Sequence, residues 1–245
     1  MGGADPLVIL VSFVIPFIFA LCGLGSAIAL IPTLVFLGIP FNYARSTGLF
    51  VNAVTTVAVT IKNAQSGEVD FKSATPIVIF SVLLSPLGAY VSLTTPSRVV
   101  GAIFTAFLVF VALTTIKPLK RFGTKEKLSF FALSVVGALA GFVSGLLGIG
   151  GGGIILPLLI ALGLNPRIAI VLTPLSVPFS SITSFLAYAK LGGVDWRLIF
   201  FSAIPASIAG YLAGAVRRML DVRTIRKILA LILVIMAIRF GMKFL

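Results

Sequence analysis

Two groups of glycines interrupt long apolar stretches of this sequence, and their backbone amides are the first candidates for binding chemistry. Five glycines lie within residues 148–153, and Gly23 and Gly25 form a smaller group near the N-terminus. Because glycines unwind a helix and leave N–H groups unpaired, a helix that starts there can bind an anion, helped by its dipole. We expect the backbone at both breaks to contact a substrate, at Gly23, Gly25, Ser26, Gly148, Gly150, Gly151 and Gly152.

Other glycine-rich sites fit the same residues poorly. Gly148, Gly150 and Gly153 have the spacing of a dinucleotide-binding fingerprint, but the sequence lacks the preceding strand and the later acidic residue that this site needs. A phosphate-binding P-loop requires Gly-Lys-Ser or Gly-Lys-Thr, which the sequence also lacks. Close packing between helices in lipid, which small residues permit, stays open as a second explanation.

Polar side chains recur at helical spacing on the apolar segment that follows each break. The first segment carries Asn52, Thr55, Thr56, Thr60 and Asn63, and the second carries Thr173, Ser176, Ser180, Ser181, Thr183 and Ser184. Hydroxyls of this kind either bond back to the preceding turn or line a polar path. We expect the path to be lined by Asn52, Thr55, Thr56, Thr173, Ser176, Ser180 and Ser181. Prolines are expected to act as hinges at Pro32, Pro157, Pro174 and Pro178.

Ionisable residues exclude several kinds of site. All six acidic residues lie in loops or at helix ends, and the chain has no histidine and one cysteine. We therefore expect no metal, no other cofactor and no enzymatic activity, since no buried carboxylate pair or nucleophile with a base is indicated. Asp70 and Asp195 are predicted helix N-caps. Arg45 and Arg167 either attract anions or, as we expect, extend to the lipid headgroups.

The composition predicts an all-α integral membrane protein that positions these residues in a bilayer. Hydrophobic residues make up 59% of the 245 residues and charged residues 10%, with a mean hydropathy of +1.21; soluble domains carry about 25% charged residues. The net charge of +13 is explained by basic residues in short loops that are kept on the cytoplasmic side, so we do not expect nucleic-acid binding. About eight hydrophobic segments are expected, at residues 6–38, 42–61, 73–93, 98–116, 128–164, 167–189, 198–216 and 224–244.

Two of these segments are too long for a single crossing. As helices, residues 6–38 and 128–164 would extend about 50 and 55 Å, against an apolar bilayer thickness of about 30 Å. Each must therefore break, and the glycine groups lie near the middle of each.

The chain is predicted to be an internal duplication. At an offset of 125 residues, Gly23 matches Gly148, Pro32 matches Pro157 and Asp70 matches Asp195 without a gap. The predicted organisation is repeat 1 at 1–120, a basic cytoplasmic linker at 117–127 and repeat 2 at 128–245. If each long segment enters and returns, 13 basic residues lie on the cytoplasmic side and 6 outside; a single crossing gives 11 and 8. The first count fits the positive-inside rule better and favours inverted repeats.

The segment "GLLGIGGGGIILPLLIALG" at 145–163 is similar to the glycine-rich motif of the sulfite exporter TauE/SafE family, and the residues that match it are Gly148, Gly150, Gly151, Gly152 and Pro157. The loop "GGVDWR" at 192–197 and the helix after it also resemble that family, and the resemblance covers nearly the whole chain. In repeat 1, Ser26 and Ala27 stand where repeat 2 has glycines. The resemblance implies a transporter of a sulfur oxyanion: sulfite, a sulfonate such as sulfoacetate, or thiosulfate.

The residues alone lead only to a small anion, so other functions stay open. A channel or uniporter for other small anions shares every feature above, and a scaffold whose glycines only pack predicts no flux. The expected partners are a small anionic substrate and the lipid bilayer, with no nucleic acid; a homo-oligomer is an open alternative. The expected location is the cytoplasmic membrane, as a multi-pass protein.

Overall fold

The computed structural model describes residues 5–67, 70–116, 125–190, 193–216 and 222–244, and these residues form ten α-helices and no strand. The first half contains α1 (Pro6–Leu21), α2 (Ala27–Phe36), α3 (Phe41–Gln65), α4 (Phe71–Thr94) and α5 (Ser97–Ile116). The second half contains α6 (Phe130–Leu147), α7 (Gly152–Ala161), α8 (Pro166–Ala189), α9 (Trp196–Val216) and α10 (Val222–Phe244).

Five of the described helices are long and apolar enough to cross a bilayer, judged by length and composition: α4, α5, α6, α8 and α9. Helices α1, α2 and α7 are apolar but shorter. Large apolar side chains are exposed on the outer helices, among them Leu83, Phe131, Phe200 and Leu231. Because helices satisfy their own backbone hydrogen bonds, an all-helical bundle with an apolar exterior suits a lipid environment.

Acidic side chains cap α4 and α9, as the sequence predicts. The Asp70 carboxylate accepts hydrogen bonds from the backbone N–H groups of Lys72 and Ser73 at the start of α4. The Asp195 carboxylate accepts from the N–H groups of Arg197 and Leu198, both at 3.0 Å, at the start of α9. Each carboxylate satisfies donors that the first helical turn cannot pair, so both predicted N-caps are confirmed.

Both long apolar segments break at their glycines. Gly148 ends α6 with φ +77°, and Gly150 and Gly151 follow at +70° and +53° before α7 begins. In the first segment Gly23 has φ +71° between α1 and α2. Residues with a side chain rarely adopt this left-handed backbone conformation, so glycine at these positions lets the chain turn where a helix would otherwise continue.

The second break turns the chain back toward the face from which it came. The Lys125 N–H donates to the Gly163 carbonyl at 2.7 Å, and the Asn165 N–H donates to the Lys125 carbonyl at 2.9 Å. If α7 continued in the direction of α6, the start of α6 and the end of α7 would be roughly 45 Å apart. Residues 125–130 span at most about 18 Å. Helix α7 therefore runs back alongside the path of α6, and its end lies near the start of α6.

The helices of the two halves interleave. Helix α4 packs on α6 and α8, while α9 packs on α1 and α3; α3 also packs on α8, and α5 on α10. Gly137, Gly141 and Gly145 bring α6 against the backbone of α4, since a Cβ at Gly137 would lie 2.5 Å from the Ile77 carbonyl oxygen. Small residues allow this close approach in lipid. Close helix packing thus accounts for these three glycines of α6.

Candidate anion-binding site at the helix breaks

The two breaks meet in the middle of the bundle. A Cβ added at Gly152 would lie 2.8 Å from the Gly25 backbone nitrogen, and one added at Gly153 would lie 2.5 Å from Ile28 Cδ1. Gly25 precedes α2 and Gly152 begins α7, so the N-termini of these two short helices lie against each other. The dipoles of both helices present their positive ends at this contact.

Several backbone donors at the contact have no acceptor in the described part of the chain. Neither helix start carries a side-chain cap, since Ser26 and Gly151 make no capping hydrogen bond. The unpaired N–H groups belong to Gly25, Ser26, Ala27 and Ile28 before and in α2, and to Gly150, Gly151 and Gly153 at α7. Buried unpaired donors are unfavourable, so an anion that accepts from them is stabilised.

Asn52 links the two breaks. Its Nδ2 donates to the Gly150 carbonyl at 3.3 Å and to Ser181 Oγ at 3.0 Å, and its Oδ1 accepts from Ser26 Oγ at 3.4 Å. The Asn52 side chain is fully buried. A Cβ at Gly25 would lie 2.9 Å from Asn52 Oδ1. The structure thus brings four of the predicted site residues into direct contact around one amide.

The hydroxyl groups of the other polar residues predicted to line the path donate hydrogen bonds to backbone carbonyls of the preceding helical turn. The acceptors are Val51 for Thr55, Asn52 for Thr56, Ala169 for Thr173, Leu172 for Ser176 and Val177 for Ser180. This is the back-bonding arrangement that competes with substrate contact. All five side chains are buried. Their hydroxyl hydrogens must turn away from these carbonyls before they can donate to an anion.

A small cavity lies beside the first break. Its volume is about 10 Å³, and its walls include Gly23, Gly25, Thr55, Thr56 and Thr173. Pro174, one of the predicted hinges, also lines it, whereas Ser176 does not. This volume is at the lower limit for one water molecule and is too small for a sulfur oxyanion. The structure is therefore closed around the site.

Two larger cavities lie away from the breaks and are apolar. One of about 480 Å³ lies between α5 and α10, lined by Thr105, Val109 and Ile238 among others. Another of about 390 Å³ lies between α3, α8 and α9, next to Val57 and Ile182. Apolar walls offer an anion no donors in place of its water, so neither cavity suits an anionic substrate.

The expectation that Arg45 extends to the lipid headgroups is wrong. Its side chain is only 3% exposed, and its guanidinium donates to Ser92 Oγ at 2.7 Å and to Asn42 Oδ1 at 2.9 Å. Arg167 is exposed at the start of α8, as a residue at the membrane surface should be. The sequence analysis did not identify the neighbours of Arg45. An arginine on an apolar helix without an acidic residue nearby does indicate a buried functional residue, so the pattern was present in the sequence.

The family model described as Sulfite exporter TauE/SafE matches residues 8–240. The chain belongs to this family.

Three curated relatives carry the name "Probable membrane transporter protein". The relative from Methanocaldococcus jannaschii is 26% identical over 252 residues, covering 95% of this chain and 94% of the relative. YunE of Bacillus subtilis is 26% identical over 244 residues, covering 88% and 89%. A relative from Haemophilus influenzae is 27% identical over 261 residues, covering 97% and 98%. This TauE/SafE protein is a multi-pass membrane transporter.

Proposed function

We propose that this TauE/SafE protein moves a small sulfur-containing oxyanion across the cytoplasmic membrane: sulfite, a sulfonate such as sulfoacetate, or thiosulfate. The family description names sulfite and supports this substrate class. The observation that carries the proposal is the contact of two helix N-termini at Gly25 and Gly152, with seven backbone N–H groups that have no protein acceptor in the described residues.

The surroundings of this contact favour a negative charge. In the described part of the chain no acidic side chain is buried: Asp70, Glu126 and Asp195 are exposed, and Asp5 is partly exposed. A carboxylate near the breaks would repel an anion, and a proton relay or cation site within a membrane usually needs one. Backbone amides instead replace the water that an oxyanion loses on entry. An anion held between the breaks is therefore the simplest occupant.

We also propose that residues 1–120 and 128–245 are inverted repeats joined by the cytoplasmic linker 117–127, of which residues 117–124 lie outside the described residues. Helices α2 and α7 are both 10 residues long and start 125 residues apart. Each helix of one half has a counterpart five helices away in the other half. When every helix is replaced by its counterpart, the α4–α6 contact becomes α9–α1 and the α3–α9 contact becomes α8–α4. Both of these contacts occur in the structure. The returning α6–α7 pair supports the topology with 13 cytoplasmic basic residues.

The closed site favours a carrier over an open pore. A cavity of about 10 Å³ cannot pass an oxyanion, so α2, α7 or α8 must move during transport. Pro32, Pro157, Pro174 and Pro178 lie inside these three helices and leave carbonyls without their usual partners, which makes bending easier. A channel or uniporter for other small anions is the alternative, and its flux would not saturate at carrier rates.

The test measures flux of labelled sulfite, thiosulfate and sulfoacetate into proteoliposomes for the wild type and for Asn52→Asp. A carboxylate at this position lies next to the bound anion, and a like charge about 4 Å away costs roughly 4 kcal/mol at an effective dielectric constant of about 20. We expect the flux to fall by roughly 100-fold or more. Gln65→Glu, at the exposed end of the same helix, adds the same charge and is expected to keep the wild-type flux.

Size-exclusion chromatography checks that both variants remain monodisperse. Equal flux in Asn52→Asp and Gln65→Glu would show that no anion passes the breaks. Absence of wild-type flux for all three substrates would refute the sulfur oxyanion assignment.

A further inference from the structure

Arg45 is a buried cation without a carboxylate partner. Among the described residues no Asp or Glu lies within salt-bridge distance of its guanidinium, and its acceptors are neutral: Ser92 Oγ at 2.7 Å, Tyr188 Oη at 3.2 Å and Asn42 Oδ1 at 2.9 Å. Neutral acceptors satisfy individual N–H groups but leave the net charge in place. Removing an unneutralised charge from water is costly, and buried charges are normally paired.

The guanidinium also keeps a free donor. Arg45 Nε is buried and donates to no acceptor in the described part of the protein. The charged group contacts two aromatic rings, 4.5 Å from the Phe41 centroid and 4.6 Å from the Tyr188 centroid. These rings fix the orientation of the planar group. An oriented guanidinium with an unused Nε–H is suited to binding an oxyanion.

The cluster lies next to the second break. A Cβ at Gly148 would lie 3.0–3.1 Å from the Cβ, Cγ and Cδ atoms of Arg45. The Tyr188 hydroxyl, which accepts from Arg45, donates to the Gly145 carbonyl at 2.7 Å at the end of α6. Along α3, Arg45 precedes Asn52 by seven residues, or about 10 Å. Asn42 is exposed, so the cluster lies between the break site and the face at which α3 begins.

A buried polar track connects the two places. On α8, Ser181 accepts from Asn52, Ser184 contacts Ser85 Oγ at 2.5 Å and Ser144 Oγ at 3.3 Å, and Tyr188 reaches Arg45. These α8 residues recur at helical spacing and face one side. The track offers hydroxyl groups from the breaks to the guanidinium through an otherwise apolar bundle.

The other half of the molecule lacks this charge. At the offset of 125 residues Arg45 corresponds to Ile170, and Gly148 corresponds to Gly23. Ile170 contacts Gly23 much as Arg45 contacts Gly148, with its Cγ2 3.2 Å from a Cβ built at Gly23. The two sides of the breaks thus have matching backbone contacts, one with a cation and one with an alkyl side chain.

We propose that Arg45, with Ser92 and Tyr188, is a second binding site for the oxyanion substrate, between the helix breaks and the face at which α3 begins. The inference rests on the proposed function and adds a residue that supplies positive charge on one side of the path. The guanidinium Nε–H and the Ser92 hydroxyl bind the oxyanion, whose negative charge balances the buried cation. Sulfite, sulfonates and thiosulfate all present oxygens of this kind.

The test compares sulfite transport and sulfite-induced thermal stabilisation in wild type, Arg45→Gln, Arg45→Lys and Arg167→Gln. Loss of one hydrogen bond to a charged group weakens binding by roughly 10- to 100-fold. We expect KM for sulfite to rise by that factor in Arg45→Gln, with loss of the sulfite-induced Tm shift. Arg45→Lys keeps the charge without the fork and is expected to lie in between. Arg167→Gln removes an exposed charge and is expected to match wild type.

Arg45 could instead only brace the end of α6, where a cation interacts favourably with the helix dipole. That role predicts a lower Tm in Arg45→Gln with KM and the sulfite-induced shift unchanged, and this result overturns the inference. If Arg45→Gln does not fold, Arg45→Lys and Ser92→Ala decide: unchanged KM in both overturns it, and a raised KM in either supports it. Normal wild-type sulfite flux with unaffected Arg45 variants leaves the proposed function intact, whereas absent wild-type flux of sulfite, thiosulfate and sulfoacetate alike refutes both.

Discussion

Gly150→Ala tests whether the contact between the second break and Asn52 is as tight as the structure indicates. Gly150 has φ +70°, and an added Cβ would overlap Asn52 Nδ2 and Ser181 Oγ, both buried. The substitution therefore carries two costs. An alanine in the left-handed region costs roughly 1–2 kcal/mol. An extra methyl group in a packed core adds about 1–3 kcal/mol.

Gly67→Ala is the matched control. Gly67 also has φ +70°, but nothing lies within 4 Å of an added Cβ. It therefore isolates the backbone cost, and the difference between the two variants measures the clash with Asn52 and Ser181. That difference is expected to be about 1–3 kcal/mol, or roughly 2–12 °C in Tm for a chain of this size.

Thermal unfolding of both purified variants, followed by sulfite flux in proteoliposomes, is the assay. We expect Gly150→Ala to have the lower Tm and at least tenfold weaker sulfite transport, because displacing Asn52 rearranges the N–H groups of both breaks. Gly67→Ala is expected to transport normally. Equal Tm values for the two variants would refute the reasoning, since Asn52 and Ser181 would then have space for a methyl group.

Two further predictions concern topology and capping. In a Cys22→Ser background, the single variants Ser66→Cys and Val194→Cys are expected to react with an impermeant maleimide from opposite sides of the membrane. Labelling of both variants from the same side would contradict the inverted repeats. Asp70→Ala is expected to lower the free energy of unfolding by about 1 kcal/mol at pH 7, as is usual for loss of an N-cap. The measurement is the Tm of the wild type and of the variant at a series of pH values. The hydrogen bond from Ser73 lowers the pKa of the Asp70 carboxyl. Its stabilising contribution is therefore present above the unfolded-state pKa of about 3.9 and is lost as pH falls through the lower folded-state pKa. If the Tm difference between wild type and Asp70→Ala stays the same below the folded-state pKa, the ionised carboxylate is not the cap.

Much of the local structure follows from the sequence. The apolar composition and segment lengths require helices in lipid, and the excess length of residues 6–38 and 128–164 requires breaks at their glycines. Asp70 and Asp195 cap helices because a carboxylate just before an apolar segment satisfies the first free N–H groups. These features depend on neighbouring residues in the chain, so the sequence alone was sufficient for them.

The arrangement of the site depends on contacts between distant segments. The sequence marked Asn52 as one of several polar residues, but only the packing of α3 against both breaks makes its amide the link between Ser26, Gly150 and Ser181. Periodicity placed Thr55 and Ser180 on a polar face, yet it does not reveal that their hydroxyls bond back to Val51 and Val177. Which acceptor a hydroxyl selects is decided by geometry at the scale of one bond.

Arg45 shows the same division most clearly. From the sequence, an arginine near the start of α3 is expected to reach the headgroups, because a long side chain near a helix end usually extends to the membrane surface. In the fold, the end of α8 supplies Tyr188 and the end of α4 supplies Ser92, and the stem packs against Gly148. Composition and spacing determined which residues are available to an anion. Only tertiary packing decided which of them are buried together, because burial depends on helices that are distant in the sequence.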